Sequence, residues 1–328
     1  MNRRFARQYF LKSLMAAVLW SGLAPVLAQD FPTKPVKFIV AGPPAGATDY
    51  IARQIAQKLS DAWPQPVAVE NLAGASGTIG SRAVKNAAPD GHTIGFGHLG
   101  THAIVPNLLN PPPYDVLGDF VPVTLLGNTW DFLVVPPRVP ARNVSELMAM
   151  ARERPDVLTY GSIGTGQPQH FLGYLLTRNA GVRMIHIPYK GSAPAITDLL
   201  AERITMMFGS AGAVVPFLKD GRLRALAVTA PNRSPFFPDV PTFAEIGMPD
   251  LGITVWIGLF APARTPPQVV AKIRGDVAQV LALPEIRAKF AAQFFDPTGS
   301  TPEQFAAFLE KEVSRWKAIV KDSGVRAE

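Results

Sequence analysis

Short apolar runs alternate with amphipathic stretches along most of the chain. The first run, Phe38-Ile39-Val40, is continuous, the mark of a strand buried on both faces. Gly42-Pro43-Pro44-Ala45-Gly46 then breaks any regular element. Ile51, Ile55 and Leu59 follow at helical spacing beside Ala52 and Ala56. Thr48 or Asp49 is the expected N-cap, because either side chain can accept from the first-turn N–H groups. The alternation continues with strands expected at Val67–Glu70, Thr93–Phe96 and Val121–Leu126 and a helix from about Thr78 to Ala87. Pro89-Asp90-Gly91 reads as a turn and His98 to His102 as a polar loop, while Pro111-Pro112-Pro113 fits neither helix nor central strand.

A second block opens near Asp131. Phe132–Val135, Leu158–Tyr160, Met184–Pro188, Thr205–Phe208 and Arg224–Val228 read as strands. Asn143 and Glu146 have capping-box spacing, and Pro168 fits the first turn of a helix faced by Phe171, Leu172, Leu175 and Leu176. Gly191-Ser192-Ala193-Pro194 opens another helix through Leu200, and Ile253–Pro262 is strand-like. Three helices close the chain. Thr265-Pro266-Pro267-Gln268 should cap the first, lined by Val269, Val270, Ile273 and Val277; Pro284 opens the second. Thr301-Pro302-Glu303-Gln304 caps the third, with Phe305, Leu309, Val313, Trp316 and Val320 on its buried stripe.

Strands alternating with helices predict parallel sheets with helices on both faces, and in such sheets ligands sit beyond the carboxyl ends of the strands. The loops there are Gly42–Thr48, Asn71–Gly77 and Gly97–His102 in the first block and Gly161–Gln167 in the second. Two blocks with such loops predict a cleft between domains. A small-residue loop feeding a helix N-terminus presents N–H groups and the positive end of the helix dipole, a site for a carboxylate or phosphate.

The length of 328 residues suits two α/β domains, and a 48% hydrophobic content excludes disorder. The first 28 residues read as a signal peptide. Arg3, Arg4, Arg7 and Lys12 form a basic region, Ser13–Leu27 is apolar, and Val26-Leu27-Ala28 ends it like a peptidase site. About 15 apolar residues are short for a membrane span, and Arg7–Lys12 lacks the second arginine of a twin-arginine signal. Export changes the charge argument. The chain has 32 basic and 25 acidic residues; losing four basic ones leaves a net of about +3, with no cluster that would attract nucleic acid or a membrane surface. The absence of cysteine excludes disulfides, thiolate metal sites and a cysteine nucleophile.

Catalytic motifs fail one by one. Gly95-Phe96-Gly97-His98-Leu99-Gly100 matches a dinucleotide fingerprint, but Pro106 stops the helix that should follow, and an exported protein has little access to NAD. His98 and His102 have the spacing of a zinc helix without its glutamate. Ser162 and Ser76 lack the first glycine of a nucleophile elbow, and there is no phosphate loop of the Walker type. Carboxylate capture is the chemistry left. Tyr189 and Lys190, after a strand end, could pack on and neutralise a ligand; the alternative is a solvated surface lysine.

The residues also carry a resemblance. Lys-Pro-Val-Lys-Phe-Ile-Val with Pro-Pro-Ala-Gly-Ala-Thr-Asp (34–49), the Val69–Gly80 and Pro89–Ile94 segments, Tyr160–Gly166, His186–Ala195, Leu223–Val228 and Pro238–Thr242 follow in an order that resembles the Bug family. These are the TctC-like substrate-binding proteins of tripartite tricarboxylate transporters, and the resemblance covers the whole mature chain. It implies a periplasmic two-domain α/β protein of the type II binding-protein kind, a Venus flytrap in which each domain is a mixed, mostly parallel sheet flanked by helices. Domain 1 would hold 29–127 plus 256–328, and domain 2 would hold 128–255. It implies no enzyme activity and no cofactor or metal. A ligand carboxylate would sit on Pro44, Ala45, Gly46, Ala47, Thr48 and Asp49, with Ser76, His98, Gly100 and Thr101 beside it. Gly164, Thr165, Gly166, Gln167, Tyr189, Gly209 and Ser210 would close over the other end. Partners would be a small organic acid and either membrane transporter subunits or a two-component sensor kinase, and the receptor is expected to be a monomer. An exported hydrolase on a related scaffold is the remaining alternative.

Two departures from the family pattern matter. The loop commonly reads Pro-Pro-Gly-Gly, and Ala45 replaces the first glycine, which changes the loop wherever positive φ is required. An aspartate often follows the strand that here ends Met206-Met207-Phe208, and this chain has Gly209-Ser210. That change disfavours a ligand ammonium group and favours a plain carboxylate, aromatic or dicarboxylic. The signal-peptide reading predicts that N-terminal sequencing of the exported chain begins at Gln29; a start at Met1 would contradict it.

Overall fold

A computed structural model describes residues 31–44 and 46–326. The expected signal peptide, its cleavage point and Ala45 lie outside those residues. Two sheets carry the fold. The first takes β1 (Val36–Val40), β2 (Val67–Asn71), β3 (Thr93–His98) and β4 (Phe120–Thr129) from the start of the chain. Helices α1 (Ala47–Ala62), α2 (Thr78–Lys85) and the short α3 (Val105–Leu108) connect them. The chain then crosses through Trp130 to β5 (Asp131–Val135) and builds the second sheet with α4 (Val144–Glu153), β6 (Thr159–Ser162), α5 (Pro168–Ala180), β7 (Ile185–Pro188), α6 (Ser192–Leu200), β8 (Met206–Ser210), α7 (Ala211–Lys219) and β9 (Arg224–Val228). It returns through β10 (Val255–Pro262), α8 (Pro267–Ala282), α9 (Pro284–Ala292), β11 (Asp296–Pro297) and α10 (Pro302–Ser323).

The strand orders are β11-β4-β10-β3-β1-β2 and β7-β6-β8-β5-β9. The two sheets share one plan. In each, three strands run parallel (β2-β1-β3 and β7-β6-β8), and the strand that has just crossed from the other half enters antiparallel beside the third. The sheets are therefore mixed, as expected; two of the five pairings in the first sheet and two of the four in the second are parallel. β10, arriving from the crossing, runs against β3, with Ile257 opposite His98.

The apolar runs fall where the pattern put them. Phe38, Ile39 and Val40 are buried, and Ile51, Ile55 and Leu59 of α1 pack into the same core as Phe96, Ile257 and Ile273. The buried stripe of α10 is Phe305, Leu309, Trp316 and Val320, with Val313 half-buried. Asn143 and Thr301 cap their helices as expected; Thr301 and Gln304 form the complete reciprocal box. Thr265 does not cap. Its hydroxyl turns back to donate to Pro262 O at 2.8 Å, and Pro266 takes the N-cap position of α8.

α10 packs its first turns on the first sheet, where Phe305 lies over Gly258 of β10. Farther along, Trp316 meets Phe171 of α5 edge to face at 5.5 Å. A side chain at Gly258 would overlap the Phe305 ring. Gly258→Ala is therefore expected to cost about 1–3 kcal/mol. Gly275→Ala, inside α8 with open space around it, should gain about 0.5–1 kcal/mol. Urea denaturation of both variants checks the pair, and equal effects would contradict the packing.

Candidate functional site

The loop after β1 ends in a helix without a side-chain cap. Gly46, extended at φ −78° and ψ 166°, is the N-cap of α1 and has no side chain to make a capping bond. Thr48 and Asp49, the expected caps, lie inside the helix. Asp49 is buried and holds Arg53, whose Nε donates to its Oδ2 at 3.0 Å. Arg53 in turn donates to Asn71 Oδ1 at 2.9 Å, and Asn71 Nδ2 donates to Gly42 O at 3.2 Å. This chain of bonds ties the loop to the end of β2. The first N–H groups of α1, beginning at Ala47, have no partner within their own helix, which is general for a helix start. They sit with the positive end of the dipole beside exposed Pro44 and half-buried Thr48.

Two glycines bring neighbouring loops against this one. Gly77, left-handed at φ +89°, approaches so closely that a side chain there would strike Thr101 Cγ2 and Ala41 O. A side chain at Gly80 would strike Ala41 and Leu72 O. Ser76 is exposed on the tight turn at Ala75–Gly77, itself left-handed at φ +54°. His98, Gly100 and Thr101 follow β3. This stretch is not the polar loop expected from its sequence; it forms a wide π-helical turn from Gly100 to Ile104, and Thr101 and His102 are buried. Thr101 is the reason: its Oγ1 accepts from His98 N at 3.0 Å and contacts His102 Nδ1 at 2.9 Å. Gly100 N donates to His98 Nδ1 at 3.0 Å, so the imidazole carries its proton on Nε2, a donor. Burial lowers His98 to about 4, leaving it neutral at pH 7.

The second half brings up its own loop. Gln167 Oε1 lies 3.3 Å from the position a side chain at Gly100 would take, and Gly166 packs on Leu108. Gly164–Gln167 does not present its N–H groups as expected. Gly164 N donates to Ser162 Oγ at 3.2 Å, Gly166 N to His170 Nδ1 at 3.2 Å and Gln167 N to Gly164 O at 3.2 Å. Thr165 is half-buried. Tyr189 backs the loop; its hydroxyl donates to Asp198 at 2.9 Å, and it is pushed up to about 12, chiefly by burial. Lys190 is exposed. Gly209 and Ser210 end β8 opposite Phe132 and Asp131. Gly209 is closed in by Val214, and Ser210 starts α7.

Two groups escaped the sequence reading. Asp131, at the crossing, is fully buried; Gln169 Nε2 donates to both its oxygens at 3.1 and 3.3 Å, and burial pushes it up to about 6. Ser162 Oγ lies 2.7 Å from His186 Nε2, and His186 stacks on His170 at 3.7 Å. Ser162, set aside as a nucleophile, is fully buried and its hydroxyl also serves Gly164. Among the described residues no three metal-ligating side chains come together, and no helix is long and apolar enough to cross a membrane.

Two sheets of one plan, joined by crossing strands, with Gln167 of one half against Gly100 of the other, fit a solute-binding protein. The chain belongs to the tripartite tricarboxylate transporter receptors, the TctC family, whose pattern matches residues 51–325. Protein BugT of Bordetella pertussis is 36% identical over 304 residues, covering 92% of this chain and 93% of its own. An R. palustris protein solved with adipate is 33% identical with a TM-score of 0.82, covering 90% of this chain and 99% of that one. MatC from Rhodopseudomonas palustris with bound malate is 32% identical with a TM-score of 0.79, covering 88% of this chain and all of that one. The family is one of receptors rather than enzymes, and the Ser162–His186 pair belongs to that context.

Burial holds His102 at about 3 and His98, His170 and His186 at about 4, below their ordinary 6.5. The unfolded chain therefore binds protons that the folded one refuses, and stability falls as pH drops below about 6.5. The limiting slope is about 1.4 kcal/mol per pH unit for each histidine. Asp131 works the other way, adding stability at low pH that is lost as pH rises through about 6, and it offsets no more than one of the four. Urea unfolding at pH 7 and pH 5 is expected to show lower stability at pH 5. Equal or higher stability there would contradict the neutral, buried state of these rings.

Proposed function

We propose that this chain is a periplasmic solute receptor that takes a small organic acid between two domains, residues 29–127 plus 256–328 and residues 128–255, for uptake by a tripartite tricarboxylate-type transporter. β4 and β10 pair as far as Thr129 and Val255, within two residues of those boundaries. The observation that carries the reading is the start of α1: a helix with no side-chain cap, reached through a proline-glycine loop, at the carboxyl end of a central parallel strand. Backbone N–H groups and the helix dipole there favour an anion. Each charge-assisted bond to a carboxylate contributes roughly 1.5–3 kcal/mol. The adipate and malate of the two relatives support the same class.

In the second half Gly164, Gly166 and Gln167 direct their N–H groups into the protein, so a ligand there meets side chains and at most the N–H of Thr165. Gly209-Ser210 offers no carboxylate for an ammonium group, and Asp131, opposite Ser210, is occupied by Gln169. A plain acid, dicarboxylic or aromatic, is therefore favoured over an amino acid.

The test is a thermal-shift panel on residues 29–328 after partial unfolding and refolding to strip carried-over ligand. It includes malate, adipate, succinate, citrate, benzoate, nicotinate, aspartate, glutamate and glucose. An acid at 100 times its dissociation constant adds about 2.7 kcal/mol. Aspartate or glutamate binding tighter than every plain acid would refute the preference. Gly46→Asp places a carboxylate at the helix start, where nothing closer than Pro43 O at 3.6 Å crowds it. It is expected to abolish the shift while the protein still folds. Unchanged binding in that variant would remove the site.

A further inference from the structure

We infer that Ser162, His170 and His186 are positioning residues: a neutral, stacked imidazole pair and a buried hydroxyl that hold the Gly164–Gln167 loop in its binding shape. The inference rests on the reading of that loop as part of the ligand site. Ser162 and His170 touch the loop directly, and His186 joins them through a 2.7 Å contact with Ser162 and its stacking on His170. His170 Nδ1 accepts from Gly166 N at 3.2 Å. Ser162 Oγ accepts from Gly164 N at 3.2 Å and lies 3.0 Å from Gly164 O. Ser162 O accepts from Tyr189 N at 3.0 Å, which ties the next strand end to the same point.

One of these bonds fixes a proton: His170 accepts at Nδ1 and so carries its hydrogen on Nε2. Ser162 has one proton and two neighbours that can accept it, Gly164 O at 3.0 Å and His186 Nε2 at 2.7 Å. The two rings lie at 3.7 Å and 8°, so charging either would place an imidazolium face to face with its neighbour in a buried site. Tyr160, beside both rings, is pushed up to about 12 by burial and stays neutral. Asp198 beyond Tyr189 is paired with Arg203. Gly166 needs the arrangement because it is left-handed at φ +76°, a conformation that no helix or strand ladder supports there.

The test uses amide hydrogen exchange by NMR on unliganded residues 29–328, so it does not depend on which acid binds. Three chains are compared: wild type, His170→Asn, which keeps an acceptor near the Nδ1 position, and His170→Phe, which keeps the ring but not the acceptor. The Gly166 amide is expected to be protected in wild type and His170→Asn. In His170→Phe its exchange should rise about tenfold, the loss of a single hydrogen bond, with Leu172 and Leu175 of α5 unchanged. Lowering the pH through about 4 should release Gly166 in wild type but not in His170→Asn, which does not titrate. Equal protection in all three chains would overturn the inference, as would parallel loss across Gly166 and α5, which would make His170 a packing residue. If His170→Phe does not fold, the pH profiles of the other two chains decide. An absence of any acid response in the thermal-shift panel would sink the ligand reading and leave this exchange result standing on its own.

Discussion

The site depends on a backbone approach that only glycine permits. At Gly77 and Gly80 the start of α2 comes so near Ala41 that a methyl group would collide. That contact sets the turn at Ala75–Gly77 against the end of β1 and presses Gly77 on Thr101. The three loops of the first half meet because of it. The start of α1 is then left facing outward without a cap. A capped helix would satisfy its own first N–H groups and have fewer to offer an anion. The helix instead spends its acidic residue, Asp49, inward on Arg53, and Arg53 anchors the loop through Asn71.

The expectation that Thr48 or Asp49 would cap α1 fails for this reason. Propensity favours a polar cap, but the helix starts two residues earlier than propensity would place it. The missing cap is what the proposed carboxylate site rests on. Where nothing competed with them, local rules held. Asn143 and Thr301 cap surface helices, and the apolar stripes of α1 and α10 face the cores that their spacing requires. Single segments show the strands clearly, but the sheet directions come from crossings that no local window contains. The antiparallel entry of β5 and β10 is a property of the whole path.

Pairs distant in sequence were the least legible part of the site. His186 stood in a motif and Ser162 in a glycine-rich loop, 24 residues apart, and nothing in either segment places one against the other. Asp131 reads as the polar start of an apolar strand; its burial becomes visible only once Gln169 lies over it. The segment from His98 to His102 misled differently. Its polar residues look solvated, yet Thr101 turns the chain inward by satisfying His98 N and His102 together, and the rings of His102 and Phe260 stack at 4.1 Å. Polar composition signals a loop only where the polar groups have no partners among themselves.

The last helix limits how the two halves can move. α10 is anchored on the first sheet by Phe305 and reaches the second half through Trp316 on Phe171, both fully buried. At its end Asp322 accepts from Arg178 at 2.6 Å and from Tyr174. That ion pair is largely exposed and contributes little by itself; the buried aromatic contact holds the helix. An opening that separated α10 from α5 would expose both rings. Gln167 and Gly100 meet without such an aromatic contact, so in the receptor proposed above parting them costs less than parting α10 from α5. In that receptor a ligand shifts the balance only through its preference for one arrangement of the halves, and the groups it would act through are the start of α1 and the Gly164–Gln167 loop.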